Sequence, residues 1–246
     1  MQGPAAAPVD WDRIDTVLVD MDGTLLDLAF DNVFWLELLP EHYAEVHGGS
    51  VGDARLALAA RFDAIAGTLN WYCLDHWTRD LKLDIRSLKL RNAHLVRYLP
   101  GAQEFLASVR ARGKRLWIVT NAHRDTLAVK AAQTGIDRLV DRVVSSHDFR
   151  APKESAEFWR GLEQQHPFDR GRTLLIEDSV AVLEAAAGYG VAHTIAIRRP
   201  DSRRHARHAS CMGARRVRGD SSTRRAVCAC RQPNRTDRRC ILDSAG

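Results

Sequence analysis

The sequence predicts an α/β fold, a doubly wound parallel sheet into which an α-helical cap domain is inserted. Short apolar runs alternate with helix-length stretches over most of the chain, and strands that alternate with helices imply right-handed crossovers and a parallel sheet. Polar residues follow directly after several of the apolar runs. Residues 28–98 interrupt the alternation with helical patterns alone, which indicates an insertion.

The predicted strands and helices of the core alternate along the chain. Strands are predicted at 17–19, 116–119, 143–144, 174–176 and 194–197, each a short apolar run. Helices are predicted at 102–111, 124–134, 154–165 and 180–187. Gly113, Gly135 and Gly188 stand just past three of these helices and Pro167 follows the fourth, and both residue types are stop signals.

The insertion contains helix-like patterns at 32–39, 53–65 and 69–81 and no convincing strand. We therefore predict three regions. Residues 1–27 and 99–200 form a discontinuous core, residues 28–98 form a helical cap, and residues 201–246 form an arginine-rich tail that we expect to be disordered.

Composition predicts a cytoplasmic protein with no membrane partner. A length of 246 residues with 45% hydrophobic residues can fill one core domain and an insertion. No apolar run approaches the length that crosses a bilayer, and residues 1–8 lack the basic and apolar segments of a secretory signal. Cys73 is the only cysteine among the first 200 residues, so we expect no disulfide framework there.

Five residues, Asp20-Met21-Asp22-Gly23-Thr24, follow the first predicted strand directly. Ligands of open α/β sheets bind at the carboxyl ends of strands, and acids two positions apart on an extended segment project to the same side. One carboxylate can then attack a phosphorus atom while the other transfers protons. The plain alternative is an acidic turn after a strand.

The string at 20–24 resembles the first motif of the haloacid dehalogenase superfamily of aspartate-nucleophile phosphohydrolases. Thr120-Asn121, Pro152-Lys153 and Glu177-Asp178 resemble the second, third and fourth motifs, in the same order and each after a strand or at a helix start. The resemblance covers residues 15 to about 200. It implies the Rossmann-like core of that superfamily and a cap that closes over the site.

The resemblance also implies a role for each motif residue. Asp20 would attack phosphorus to give an aspartyl phosphate, and Asp22 would be the general acid and base. Dehalogenase members lack an aspartate at the position of Asp22, which favours phosphoryl transfer. Lys153 would hold nucleophile and phosphate together by charge. The residues expected to bind phosphate are Thr120, Asn121, Gly23 and Thr24, although the last two could be structural only.

A divalent cation is expected because the nucleophile and the phosphate are both anions, and Mg²⁺ prefers oxygen ligands. Asp20 and Asp178 would supply carboxylates, and the resemblance adds the backbone carbonyl of Asp22. Glu177 would either ligate the ion directly or contact a residue that does. The alternative for Glu177-Asp178 is an acidic helix start.

Strings in and near the cap resemble a bacterial subgroup that contains GMP/IMP 5′-nucleotidases: LDLAFDN at 26–32, TLNWYCLD at 68–75 and TNAH at 120–123. The resemblance implies a purine nucleoside monophosphate as substrate. Phe30, Trp35, Trp71 and Tyr72 could stack the base, and Asn70 or Asp75 could bond its edge. Alternatively, the aromatic residues fill the cap's own core. We expect His76, His94 and His123 to make local hydrogen bonds.

The net charge of +5 does not predict nucleic-acid binding, because residues 198–246 hold fourteen arginines and four aspartates and the rest of the chain is net negative. Cysteines 211, 228, 230 and 240 also lie in this tail. Three alternatives to disorder are a small zinc site, an arginine-rich nucleic-acid arm and a reading-frame change.

Together, these observations predict a Mg²⁺-dependent phosphomonoester hydrolase that acts on a small phosphorylated metabolite, a purine nucleoside 5′-monophosphate such as GMP or IMP. A sugar-phosphate phosphatase or phosphomutase would use the same residues. The alternative from another class is a nucleic-acid-associated binding protein that acts through its tail. Oligomeric state stays open.

Overall fold

The computed structural model describes residues 9–207. Its five strands are β1 (Thr16–Val19), β2 (Arg115–Thr120), β3 (Arg142–Ser145), β4 (Thr173–Glu177) and β5 (His193–Ala196). All neighbours pair in parallel, in the order β3-β2-β1-β4-β5. The predicted doubly wound parallel sheet is confirmed, with β1 at its centre.

Helices cover both faces of the sheet. They are α7 (Ala102–Ala111) and α8 (Arg124–Thr134) on one face, and α9 (Ala156–Gln165) and α10 (Val180–Tyr189) on the other. Side chains alternate across the central strand: Val17 and Val19 pack with Leu106 of α7, and Leu18 packs with Phe158 of α9. Both faces of β1 are therefore buried, which explains its unbroken apolar run.

Residues 28–98, called here the helical segment, lie between β1 and β2. They contain α1 (Ala29–Val33), α2 (Leu39–His47), α3 (Val51–Ile65), α4 (Leu69–Tyr72), α5 (Leu74–Leu81) and α6 (Ile85–Arg91). A π-helical turn, Phe34–Leu38, joins α1 to α2. The segment has its own buried cluster, which includes Phe34, Leu58, Trp77 and Leu88. The predicted helical character of the insertion thus has a packing basis, while the exact domain division stays a prediction.

An aromatic cluster forms one side of that apolar core. Trp35, Phe62, Trp71 and Trp77 contact one another with ring centroids between 5.1 and 6.0 Å apart. Most of these pairs meet edge to face, an arrangement that aromatic rings prefer.

The helix predicted at 69–81 is broken in two. Cys73 has extended backbone angles, φ −87° and ψ 112°, and separates α4 from α5. The indole of Trp77 donates a hydrogen bond of 2.8 Å to the carbonyl of Trp71. In a continuous helix that carbonyl would accept from a backbone amide instead. This hydrogen bond between residues six positions apart has no periodicity signal, so the sequence pattern did not predict the break.

The predicted tail is described only over residues 201–207, and its remaining residues lie outside the described part. Asp201 is buried and accepts a hydrogen bond of 2.6 Å from the Asn32 side chain. Residues 201–207 therefore contact the helical segment. Within residues 9–207, no helix has the length and apolar character needed to cross a bilayer.

Candidate active site

The turn after β1 holds Asp20 at the carboxyl edge of the sheet. The Asp20 amide donates to the carbonyl of Ile176 at 2.9 Å, which continues the ladder to β4, and the residue is only 5% exposed. Gly23 has φ +84°, and a Cβ there would lie 2.8 Å from Cγ of Asp178. Glycine is therefore required both for the backbone angle and for the close approach of this turn to Asp178.

Lys153 lies beneath Asp20 and is 1% exposed. Its ammonium group donates to Asp20 Oδ1 at 2.5 Å and to Glu177 Oε2 at 2.7 Å. Its backbone is held from both sides, since its amide donates to Asn121 Oδ1 at 2.9 Å and its carbonyl accepts from the Trp159 indole at 2.7 Å. The position of the amine is therefore set by packing and backbone bonds rather than by a flexible surface stem.

Three carboxyl groups gather at this lysine. Carboxylate oxygens of Asp20, Glu177 and Asp178 lie within 4.8 Å of one another, and with Lys153 these residues are called the acidic cluster. Burial and the Glu177 carboxylate raise the pKa of Asp20 to about 8, although Lys153 acts to lower it. Burial likewise raises the pKa values of Glu177 and Asp178 to about 7. Ionised, the cluster has an excess of negative charge.

The donor set of the acidic cluster suits a hard divalent cation. Both oxygens of Glu177 already accept hydrogen bonds, from Lys153 and from the amides of Asp178 and Ser179. The carboxylates best able to ligate an ion directly are therefore those of Asp20 and Asp178, with Glu177 orienting Lys153.

The Asp22 side chain pairs with a lysine outside the acidic cluster. Lys130 of α8 donates to Asp22 Oδ1 at 2.6 Å and to Asp31 Oδ2 at 2.5 Å, and Lys89 of α6 donates to Asp31 Oδ1 at 3.1 Å. Both lysines are 1% exposed. These four residues are called the junction cluster, because they join the β1 turn and α8 to the helical segment.

The junction cluster is balanced in charge. Although burial opposes the effect, Lys130 and Lys89 lower the pKa of Asp31 to about 2. Burial raises the pKa of Asp22 against the effect of Lys130. Asp22 pairs with one lysine and Asp31 with two, so the carboxyl of Asp22 holds a proton more readily than that of Asp31, as suits a proton carrier.

The end of β2 brings Thr120 and Asn121 to the same edge. Thr120 Oγ1 accepts from the Ala122 amide at 3.0 Å, and Asn121 Nδ2 donates to Glu154 Oε2 at 3.0 Å. Tyr72 of α4 donates from its hydroxyl to the other oxygen of Glu154 at 2.8 Å. Glu154 thus ties the helical segment to the β2 loop.

A cavity of about 310 Å³ lies between the sheet edge and the helical segment. Its floor consists of sequence-predicted site residues: Asp20, Asp22, Thr120, Asn121, Lys153, Glu177 and Asp178. The opposite wall is largely aromatic and is formed by Trp35, Phe62, Trp71 and Tyr72. Gly23 and Thr24 are not among the residues that line it.

The residues that support Asp22, namely Asp31, Lys89 and Lys130, were not predicted from the sequence. Lys130 follows Leu127 by three positions on α8 and is buried on the same helix face, but a lysine at that spacing gives no sequence signal of burial. Arg207 was not predicted either; it donates to the Asp178 carbonyl at 2.7 Å and to Asp178 Oδ2 at 3.3 Å. Arg207 lies in a stretch that composition assigned to the tail.

Comparisons with known proteins identify the family of this chain. A family model described as haloacid dehalogenase-like hydrolase matches residues 14–190. The GMP/IMP nucleotidase YrfG of Escherichia coli (strain K12) is 38% identical over 213 residues, which are 85% of this chain and 96% of that protein. An uncharacterised protein from the fgs 3′ region of Lacticaseibacillus casei is 27% identical over 184 residues, 72% of this chain and 81% of that protein.

Among solved structures, a HAD phosphatase from Thermococcus onnurineus matches with a TM-score of 0.66 at 21% identity, over 74% of this chain and 86% of that one. A predicted phosphoglycolate phosphatase from Haemophilus somnus 129pt matches with a TM-score of 0.56 at 18% identity, over 75% and 85% of the two chains. At these identities the structural matches establish the fold alone.

Proposed function

This chain belongs to the haloacid dehalogenase-like hydrolases, and we propose that it is a Mg²⁺-dependent phosphomonoesterase that hydrolyses purine nucleoside 5′-monophosphates through an aspartyl phosphate. The observation that carries the proposal is the acidic cluster at the floor of an aromatic-walled cavity. The floor supplies groups for phosphoryl transfer, and the wall supplies surfaces for a flat base.

In the first half-reaction, a carboxylate oxygen of Asp20 attacks phosphorus and the bond from phosphorus to the leaving 5′-oxygen breaks. Asp22 gives its proton to that oxygen, so the nucleoside leaves as a neutral alcohol. Lys153, bonded to Asp20 at 2.5 Å, keeps the nucleophile oriented and offsets the negative charge that gathers there.

In the second half-reaction, a water molecule attacks the phosphorus of the aspartyl phosphate. Asp22, now ionised, takes a proton from that water, and the bond from phosphorus to the Asp20 oxygen breaks. Inorganic phosphate is released, and both aspartates return to their starting protonation states. Thr120 and Asn121, which line the cavity, are the proposed donors to phosphate oxygens.

The residues present fit a magnesium ion. Asp20 and Asp178 would hold it through carboxylate oxygens, and the Asp22 carbonyl is the proposed third ligand. When bound, Mg²⁺ neutralises the charge shared by the phosphate and the nucleophile, which favours in-line attack.

The helical segment is the proposed cap that selects the substrate. Trp35 and Trp71 face the cavity, where a purine could stack on an aromatic ring. The 38% identity to a protein named as a GMP/IMP nucleotidase supports the same substrate class. A sugar phosphate offers hydroxyl groups rather than a flat face and would gain less from this wall.

The proposal is tested by phosphate release with and without Mg²⁺ across nucleoside monophosphates and sugar phosphates. Wild type is compared with Asp20→Asn and with the matched control Asp137→Asn, which makes the same chemical change at an exposed position. We expect GMP or IMP to be preferred, turnover to require Mg²⁺, and only Asp20→Asn to lose it.

A preference for sugar phosphates would support phosphomonoester hydrolysis but reject the nucleotidase assignment. Full Mg²⁺-dependent turnover by Asp20→Asn would reject the mechanism. No turnover by a folded wild-type preparation would reject the enzyme proposal in favour of the binding-protein alternative.

A further inference from the structure

A second group of ligand-type side chains lies beside the active site and has no part in the proposed hydrolysis. Cys73 lies in the break between α4 and α5, His123 precedes α8, and His147 lies in the 3₁₀ turn Ser146–Asp148 after β3. One ligand atom from each lies within 4.8 Å of the other two. The two imidazole rings stand 5.0 Å apart between centroids, at 85° to each other.

His147 is prepared to act as a ligand. Its Nε2 atom is buried and has no hydrogen-bond partner within residues 9–207. Burial together with the nearby His123 lowers the pKa of His147 to about 4. The ring is therefore neutral near pH 7, the form in which a histidine ligates a metal.

His123 Nδ1 accepts a long hydrogen bond of 3.3 Å from the Asp125 amide. A neutral imidazole that accepts at Nδ1 holds its proton on Nε2, so ligation through Nε2 requires the ring to move that proton to Nδ1 and give up this bond. Asp75 Oδ2 lies 3.7 Å from that Nε2, and the Asp75 side chain is 71% exposed, so it has room to move. Two imidazoles and one thiol thus converge from three separate parts of the fold, and the Asp75 carboxylate lies next to the His123 ring.

We propose that Cys73, His123 and His147 bind a divalent transition-metal ion of the Zn²⁺ class, with Asp75 as the fourth ligand. Zn²⁺ prefers a tetrahedral site with four ligands drawn from thiolate, imidazole and carboxylate groups. Mg²⁺ prefers oxygen ligands and octahedral geometry, so the two sites differ in chemistry. This proposal does not depend on which substrate the enzyme hydrolyses.

The ion would connect the helical segment to the core. Cys73 and Asp75 belong to the helical segment, whereas His123 and His147 belong to loops at the carboxyl edge of the sheet. Metal binding would therefore restrain the two sides of the cavity relative to each other. Because the ion binds the folded arrangement, it should also raise the thermal midpoint.

The site is tested with Co²⁺ as a spectroscopic substitute for Zn²⁺, on the full-length protein reduced with a phosphine and saturated with Mg²⁺. A cysteine thiolate bound to Co²⁺ gives a sulfur-to-metal charge-transfer absorption, and tetrahedral Co²⁺ gives intense visible bands. The oxygen ligands of the acidic cluster cannot produce the thiolate absorption. We expect one equivalent of Co²⁺ to bind with both features and one equivalent of Zn²⁺ to remove them.

Matched variants separate this site from the four tail cysteines. Replacing cysteines 211, 228, 230 and 240 together with serine should leave the spectrum intact, whereas Cys73→Ser should abolish the thiolate absorption. His147→Gln should keep the protein folded and weaken Co²⁺ binding at least tenfold, as loss of a ligand does. Far-ultraviolet circular dichroism checks that each variant is folded.

Thermal melting gives a second readout that is independent of turnover. Zn²⁺ at about a hundredfold excess over its dissociation constant should raise the wild-type midpoint by roughly 5–10 °C and leave folded Cys73→Ser unchanged. A thiolate absorption that survives in Cys73→Ser, or disappears with the tail cysteines, overturns the proposal. So does a wild-type protein that shows no such absorption.

Discussion

The acidic cluster and the junction cluster are both buried assemblies of lysines and carboxylates, yet their charges are arranged differently. In the acidic cluster, Lys153 faces three carboxyl groups, and the pKa values of all three are raised. In the junction cluster, two lysines face two aspartates, and the pKa of Asp31 is lowered to about 2. An excess of negative charge indicates a site that binds a cation. A charge-balanced cluster indicates a structural contact that needs no further ion.

The difference implies opposite consequences when an aspartate is neutralised. Asp20→Asn should reduce turnover by about 10⁴-fold or more, since it removes the nucleophile. It should leave the thermal midpoint without Mg²⁺ unchanged or higher, because it removes one of several crowded carboxyls while Glu177 still pairs with Lys153. Steady-state kinetics and thermal melting measure the two effects. A strongly destabilised Asp20→Asn would mean that the acidic cluster is structurally balanced after all.

Asp31→Asn, in contrast, should strongly lower the free energy of unfolding. The substitution leaves buried Lys89 without its carboxylate partner and takes one of two from Lys130. Loss of one member of a buried ion pair costs about 3–5 kcal/mol in the free energy of unfolding. Urea denaturation would measure it beside Asp63→Asn, an exposed control. Equal stability of the two variants would remove the distinction between the clusters.

Lys130→Met sharpens the comparison, because Lys130 bonds directly to the proposed acid and base. Loss of a positioned general acid reduces rates by about 10²–10⁴-fold, so we expect kcat for a nucleoside monophosphate to fall by about 10²-fold. The fall should be much smaller for p-nitrophenyl phosphate, whose leaving group needs no proton. Lys82→Met, at an exposed position, is the control. Equal losses with both substrates would assign Lys130 a purely structural role.

Magnesium should stabilise the protein more at high pH than at low pH. The folded carboxyls keep protons up to pH values of about 7 to 8, whereas the same groups in the unfolded chain ionise near their ordinary values of 3.8 to 4.5. The metal-free protein therefore loses stability as the pH rises from the unfolded values of 3.8 to 4.5 to the folded values of about 7 to 8. Mg²⁺ displaces those protons, so its affinity should rise at least about tenfold from pH 6 to pH 8.

Thermal melting in EDTA and in Mg²⁺ at pH 5, 6, 7 and 8 checks this sign. The two curves should diverge as pH rises. Parallel curves would show that the carboxyls of the acidic cluster are already ionised at low pH, as that of Asp31 is.

The smallest expected effect concerns Arg207, whose side chain is 36% exposed and contacts Asp178. Arg207→Ser removes a cation from a proposed magnesium ligand, so Mg²⁺ should bind slightly more tightly. Partly exposed ion pairs are worth about 0–1 kcal/mol, which corresponds to a change of at most about fivefold. Titration of Mg²⁺ followed by turnover would detect it, with Arg199→Ser as the control. A large loss of affinity would instead make Arg207 part of the site.

The sheet and the acidic cluster could be predicted because their signals are local. Asp20, Lys153 and Asp178 each stand next to a strand or a helix start, and parallel strands bring such positions to one edge. The pairing of Lys130 with Asp31 could not be predicted, because it depends on how α8 and α1 approach each other in the fold. The break at Cys73 was missed for a similar reason, since the carbonyl of Trp71 accepts from an indole of the next helix rather than from a backbone amide.

The grouping of Cys73, His123 and His147 lies furthest from what sequence can provide. Each residue alone is an ordinary side chain near a helix end, and His123 was expected to make only local hydrogen bonds. Its Nδ1 does so with Asp125, while the other nitrogen faces residues from distant segments. The expectation was therefore sound for one atom of the ring and incomplete for the other.

The tryptophans of the aromatic cluster should report ligand binding through their intrinsic fluorescence. Three of the six tryptophans lie in the helical segment, and Trp35 and Trp71 line the cavity itself. A base that stacks against them should quench part of the intrinsic fluorescence before any bond is broken. With Asp20→Asn, this emission change would report nucleotide binding alone, without labels and without a coupled assay.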